Sequence, residues 1–228
     1  GRRTRARSAS TVKRRDIQGL RALAVGLVVV FHLVPAVVPG GYIGVDVFFV
    51  ISGFLISGHL LRELESTGSV RITEFWARRV RRLLPASLLV LVACALLTLF
   101  VMPSITREQN FVEIAFAAVY VLNWNLAAGA VDYLNATNPT SLVQHYWSLS
   151  VEEQFYLVWP LLVILAFALA MKLGRSGRAL TVGILGAVTA ASFAHSILLT
   201  AADANLAYFG TLARAWEFGA GAFVALWL

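Results

Sequence analysis

Apolar residues gather along this chain into seven stretches: 17–38, 44–61, 83–103, 111–127, 147–170, 179–200 and 209–228. A helix needs about 20 apolar residues to cross the roughly 30 Å hydrocarbon core of a bilayer. Stretches of this length, separated by more polar segments, predict an all-α polytopic transmembrane bundle of about seven membrane segments. The fourth stands apart: it is the shortest, with Glu113 near its start and Asn123-Trp124-Asn125 near its end. We read it as re-entrant or broken, which a membrane tolerates only where protein or water covers the irregular backbone. Residues 128–146 are too polar to span and are expected to form an outer loop. Within that loop Asn135-Ala136-Thr137 matches a glycosylation acceptor, a weak three-residue signal.

Charge orients the segments. Arg2, Arg3, Arg5, Arg7, Lys13, Arg14 and Arg15 precede the first stretch. Arg62, Arg71, Arg78, Arg79, Arg81 and Arg82 lie between the second and third, and Lys172, Arg175 and Arg178 between the fifth and sixth. Basic residues flanking spans stay on the cytoplasmic side. Residues 1–16 are therefore read as a basic cytoplasmic tail and 17–228 as one membrane domain, with loops 62–82 and 171–178 on the tail's side. The parity closes only if the fourth segment does not cross. The basic tail resembles a signal-peptide start, but Arg21 interrupts the apolar run and no small-residue cleavage site follows, so the first helix is retained.

The composition agrees, at 59% apolar and 14% charged, far from a soluble globular domain and from disordered or fibrous chains. Topology accounts for the net charge of +7, so no nucleic-acid partner is expected. The single cysteine, Cys94, lies within an apolar stretch and reads as packing; no Cys/His spacing points to zinc, and no metal or resident cofactor is expected. The chain begins without Met and stops within an apolar run, which we read as a piece of a longer protein.

Ionisable groups inside spans are costly and default to functional candidates. Arg21 and His32 are eleven residues apart, about three helical turns, so they share a face roughly 16 Å apart. Arg21 lies near the cytoplasmic end and His32 toward the outer side. Glu152 and Glu153 fall about 8–9 Å in from the outer face, and Arg214 and Glu217 about 8–12 Å in, by the same helical rise. Arg214 and Glu217 are also spaced to pair with each other. Asp46 follows the turn Gly40-Gly41 and suits either a helix start, where a carboxylate meets orphan N–H groups, or a site. Ser52 reads as a helix-packing serine. His59 and His195 have no partner pattern. The arginines of 78–82 sit at the cytoplasmic mouth, where a guanidinium fork suits phosphate and where a simple topological flank is the plainer alternative.

Five motifs occur in order. They are Arg21-x10-His32; Gly44-Val45-Asp46-Val47-Phe48-Phe49-Val50-Ile51-Ser52-Gly53-Phe54; Arg79-x-Arg81 before Leu-Pro; His145-Tyr146-Trp147-Ser148-Leu149-Ser150-Val151-Glu152-Glu153-Gln154-Phe155-Tyr156; and Thr211-Leu212-Ala213-Arg214-Ala215-Trp216-Glu217. The set, from about residue 14 to 221, resembles the acyltransferase-3 family of integral-membrane O-acyltransferases. The resemblance implies a ten-helix domain in a bacterial cytoplasmic membrane. It would take an acyl group, usually acetyl, from cytoplasmic acyl-CoA to a hydroxyl of an extracytoplasmic envelope polysaccharide or glycolipid. Many members carry a further SGNH-type domain. Carried over, Arg21, Arg79 and Arg81 would hold CoA phosphates, and His32 would act as general base. A carboxylate would orient the imidazole, with Glu153, Glu152, Glu217 and Asp46 the candidates in that order. Midplane charges and broken helices also build secondary transporters and proton-coupled carriers, and a non-catalytic scaffold is a third class. Neither explains a basic mouth with a histidine on the same tract.

Overall fold

The computed structural model describes residues 15–34, 36–133, 141–174 and 177–227. The tail arginines before Arg15, the Asn135 acceptor and Arg175 lie outside them. The described helices are α1 (Arg15–Leu33), α2 (Ile43–Thr67), α3 (Ile72–Phe100), α4 (Ser104–Ala118), α5 (Leu122–Tyr133), α6 (Tyr146–Lys172), α7 (Gly177–Ala202), α8 (Ala204–Phe209) and α9 (Thr211–Trp227). No strand occurs among the described residues. Five helices, α1, α2, α3, α6 and α7, are long and apolar enough to cross a membrane.

The chain divides into two compact units, one ending at Phe48 and the other starting at Phe49. In the first, α1 runs antiparallel to residues 41–48. Glycines permit the approach: a Cβ on Gly41 would strike the Leu27 carbonyl and Phe31, and one on Gly44 the Ala24 carbonyl and Val28. Ile17 and Ala24 are buried on that face of α1.

In the second unit, side-chain contacts fix the sense of each helix. Ser57 Oγ accepts from Trp159 Nε1 at 2.8 Å, and Ser52 meets Glu152, so α2 and α6 run parallel. Gly53 faces Phe218, and Gly58 faces Ala225, so α9 runs parallel to α2. The reverse pairings put α7 and α3 in the opposite sense. Ser192 Oγ donates to Leu212 O at 2.6 Å while Gly186 faces Phe223. Trp76 Nε1 donates to Tyr156 O at 3.0 Å while Tyr146 Oη donates to Ser87 O at 3.1 Å. Arg178 ties one end together, reaching Glu65 at 3.7 Å and Leu226 O at 2.6 Å. The basic flanks Arg62, Arg71, Lys172 and Arg178 share that end.

The fourth apolar stretch is broken. Helix α4 stops at Ala118, Tyr120 takes the left-handed φ of 57°, and α5 restarts at Leu122. Asn110 Oδ1 accepts from Leu142 N at 3.0 Å, and Glu113 bonds Ser141, both just ahead of α6. At the break, Gln154 Nε2 donates to Tyr120 O at 2.8 Å and Asn123 Oδ1 at 2.9 Å. Gln154 lies eight residues into α6, about 12 Å along it. The chain therefore dips beside α6 and returns to the end it left, so α4 and α5 form a re-entrant hairpin.

The expected loop 62–82 proves largely helical, and helix also enters the start of the outer one. The polar segment 62–82 is mostly the end of α2 and the start of α3, where Arg71 and Arg78 pair with Glu74 at 3.0 and 3.4 Å. The outer segment from residue 128 continues α5 to Tyr133.

Candidate functional site

Glu152 and Tyr156 stand four residues apart on α6, one above the other on one helix face. The Tyr156 and Ser52 hydroxyls both donate to Glu152 Oε1, and Tyr156 Oη lies 2.9 Å from Ser52 Oγ. A carboxylate accepting two hydroxyl donors is well matched, because its oxygens only accept. Ser52 is buried, and the sequence marks it only as a packing residue; Tyr156 ends the α6 motif, and the sequence assigns it no role. The readable signal was the i,i+4 spacing of Glu152 and Tyr156.

Arg79 completes the cluster. Its guanidinium carbon lies 3.2 Å from the centroid of the Tyr156 ring and 5.1 Å from that of Phe75. The buried Nε of Arg79 and the buried Oε1 of Glu153 have no hydrogen-bond partner. Charge alone puts Arg79 at the cytoplasmic mouth and helical rise puts the α6 glutamates toward the outer side, whereas the structure joins Arg79 to the Glu152–Tyr156 pair. The cause is local: α3 begins at Ile72, eleven residues before the apolar run, so Arg79 sits on a helix clamped to α6 by the Trp76–Tyr156 bond. Arg79 and Arg81 part company, since Arg81 is exposed and donates from Nε to Ala77 O at 3.2 Å on its own helix.

The other candidates are placed as follows. Arg214 Nη1 donates to Glu217 Oε1 at 2.7 Å, and Arg214 also stacks on Tyr208, 4.8 Å from the ring centroid. Glu217 is 1% exposed, so this is a buried pair rather than a ligand-facing charge. In the first unit, Asp46 lies in the first turn of α2. Arg21 is half-buried, 6.0 Å from the Phe48 ring centroid. His32 Nδ1 lies 2.8 Å from Val28 O. A carbonyl only accepts, so Nδ1 carries the proton, and Nε2 of the neutral ring keeps its lone pair.

A second polar knot holds the hairpin. Thr211 Oγ1 donates to Gln154 Oε1 at 2.5 Å and accepts from Asn123 Nδ2 at 2.9 Å and Trp124 Nε1 at 3.1 Å. Beside it an apolar groove of about 880 Å³ is lined by Trp124, Phe155, Trp159, Leu199 and Phe218, with His195 on its wall. Among the described residues, no group of three or more His, Cys, Asp or Glu side chains is placed to hold a metal.

These observations define a multi-pass helical membrane protein with a hydroxyl–carboxylate–guanidinium cluster in its interior. The chain belongs to the acyltransferase-3 family, described as an acyltransferase domain, whose pattern matches residues 14–228. It is 37% identical over 212 residues to the peptidoglycan O-acetyltransferase OatA of Listeria monocytogenes, covering 92% of this chain and 33% of that protein. It is 42% identical over 149 residues to the O-acetyltransferase OatA of Staphylococcus aureus, covering 64% of this chain and 24% of that protein. The chain thus spans a third or less of the length of these curated relatives. No solved structure matches it.

Proposed function

We propose that this chain is the membrane part of an O-acyltransferase of the bacterial cytoplasmic membrane, with its basic end and residues 1–16 in the cytoplasm. It takes an acyl group, acetyl in the simplest case, from cytoplasmic acyl-CoA and gives it to a hydroxyl of an extracytoplasmic envelope glycan or glycolipid. The observation that carries this reading is the family match along residues 14–228, alongside relatives named as O-acetyltransferases.

The chemistry needs a base, a grip on the donor and a carboxylate. His32 is the base: its Nε2 takes the acceptor hydroxyl's proton as the oxygen attacks the thioester carbonyl carbon. The C–S bond then breaks, and the imidazolium returns the proton to the leaving CoA sulfur. Arg79 is the principal phosphate ligand, with Arg21 and Arg81 supporting it, because a guanidinium binds two phosphate oxygens at once. Glu153 is the carboxylate for the reacting groups, since its buried Oε1 has no partner. Glu152 is engaged by Ser52 and Tyr156, and Glu217 by Arg214.

His32→Ala in the full-length protein tests the assignment. We expect intact membrane insertion and a loss of labelled acetyl transfer of about 10²–10⁴-fold, the usual contribution of a general base. Wild-type turnover in the folded variant would overturn it.

A further inference from the structure

Arginine side chains that bind anions are usually held by hydrogen bonds to a neighbouring carboxylate, which occupies part of the guanidinium edge. Arg79 is held differently. Its contacts are with ring faces, Tyr156 on one side and Phe75 on its own helix, and its buried Nε has no hydrogen-bond partner. A guanidinium lying on an aromatic face is attracted by the ring's quadrupole, and that contact leaves the in-plane N–H groups unused. The ring in turn cannot swing. Its hydroxyl is tied to Glu152 and Ser52, and its backbone carbonyl accepts from Trp76, three residues before Arg79.

We infer that Tyr156, anchored by Ser52 and Glu152, is a positioning residue that holds Arg79 by its face so that its guanidinium N–H groups are kept for a phosphate of the acyl donor. The inference rests on the acyl-CoA reading. Glu152 then has a task distinct from that of its neighbour Glu153: it fixes the tyrosine through the phenolic hydroxyl. Ser52 shares that task, which ties the α2 motif and the α6 motif to the arginine motif of α3 through one ring.

The test measures acetyl-CoA and acetyl-pantetheine binding to the full-length protein in nanodiscs. Acetyl-pantetheine keeps the thioester and its arm but lacks the nucleotide phosphates. Wild type should prefer acetyl-CoA, and Arg79→Ala should erase most of that preference. Tyr156→Leu should weaken acetyl-CoA by about tenfold and leave acetyl-pantetheine unchanged. Adding Tyr156→Leu to Arg79→Ala should cost nothing more, because the two act as a unit. Tyr156→Phe and Ser52→Ala, which keep the ring and disturb the core least, should show a smaller loss in the same direction. Equal weakening of both ligands, or additive losses in the double variant, would reduce Tyr156 to a structural residue and overturn the inference while leaving the donor reading intact. Wild-type protein without acetyl-CoA affinity would overturn both.

Discussion

A methyl group placed at Gly53 has nowhere to go. Its Cβ would fall on the backbone of Phe218 in α9, and a Cβ at Gly221 would fall on the backbone of Val50 in α2. Small residues let helices approach this closely in a membrane, and backbone cannot rotate aside as a side chain can. Overpacking a well-filled contact costs about 1–3 kcal/mol. The intrinsic helix preference of Ala over Gly returns about 0.8–1 kcal/mol. Because the obstacle is backbone, the upper part of the range applies, and Gly53→Ala should lose about 2 kcal/mol net. Gly183 in α7 is the control, with nothing within 4 Å of its added Cβ, so Gly183→Ala should be neutral or gain up to about 1 kcal/mol. The double variant Gly53→Ala/Gly221→Ala should lose less than the two single losses combined, since helices already moved apart accept the second methyl. Unfolding in mixed micelles, titrated with sodium dodecyl sulfate, reads the wild type, the three single variants and the double variant. Gly53→Ala matching Gly183→Ala in stability would refute the close approach of α2 and α9.

Cysteines at Ser141 and Gly174 in a Cys94→Ala background should label with an impermeant thiol reagent from the outer and the cytoplasmic side respectively; the reverse pattern would mean that the fourth segment spans and would contradict the re-entrant hairpin. Arg79→Lys should weaken acetyl-CoA binding by about tenfold, because an ammonium has neither the flat face for Tyr156 nor the fork for phosphate. Arg81→Lys, at an exposed position bonded within its own helix, should change affinity far less, and equal losses in isothermal titration would undo that distinction. Gln154→Leu leaves the Tyr120 carbonyl, Asn123 and Thr211 short of partners, so a stability loss of about 1–3 kcal/mol is expected in the same micelle titration.

The apolar stretches marked the helices because lipid demands both length and continuity, and the long spans emerge where those stretches lie. The break in the fourth was legible for the same reason: Asn123 and its neighbours have no place in an uninterrupted span. The helix starts were less legible. Arginine and glutamate are good helix formers, so α3 extends through a segment whose charge suggested a loop, and that extension carries Arg79 to Tyr156. The pairing of Arg214 with Glu217 followed from a spacing of three. The Ser52–Glu152–Tyr156 triangle did not, because its serine and its glutamate are 100 residues apart, and no periodicity along one helix specifies which serine of another it meets. Tyr156 was within reach of the i,i+4 rule, but an aromatic near Phe155 and Trp159 looks like core.

The re-entrant hairpin also constrains the order in which the protein is made. Neither α4, with 15 residues, nor α5, with 12, is long enough to settle across a bilayer unaided. Several of their polar groups are satisfied by α6, by the residues just ahead of it and by the α8–α9 junction: Asn123 finds its acceptors Phe209 O and Thr211 Oγ1 86 and 88 residues downstream. At about 5–20 residues per second, the ribosome supplies those partners roughly 4–18 s after Asn123 itself. Until then the Asn123 amide lacks both acceptors, and an unpaired amide is costly in hydrocarbon. The polar contacts that hold the break in place are therefore completed late, around a segment synthesised early.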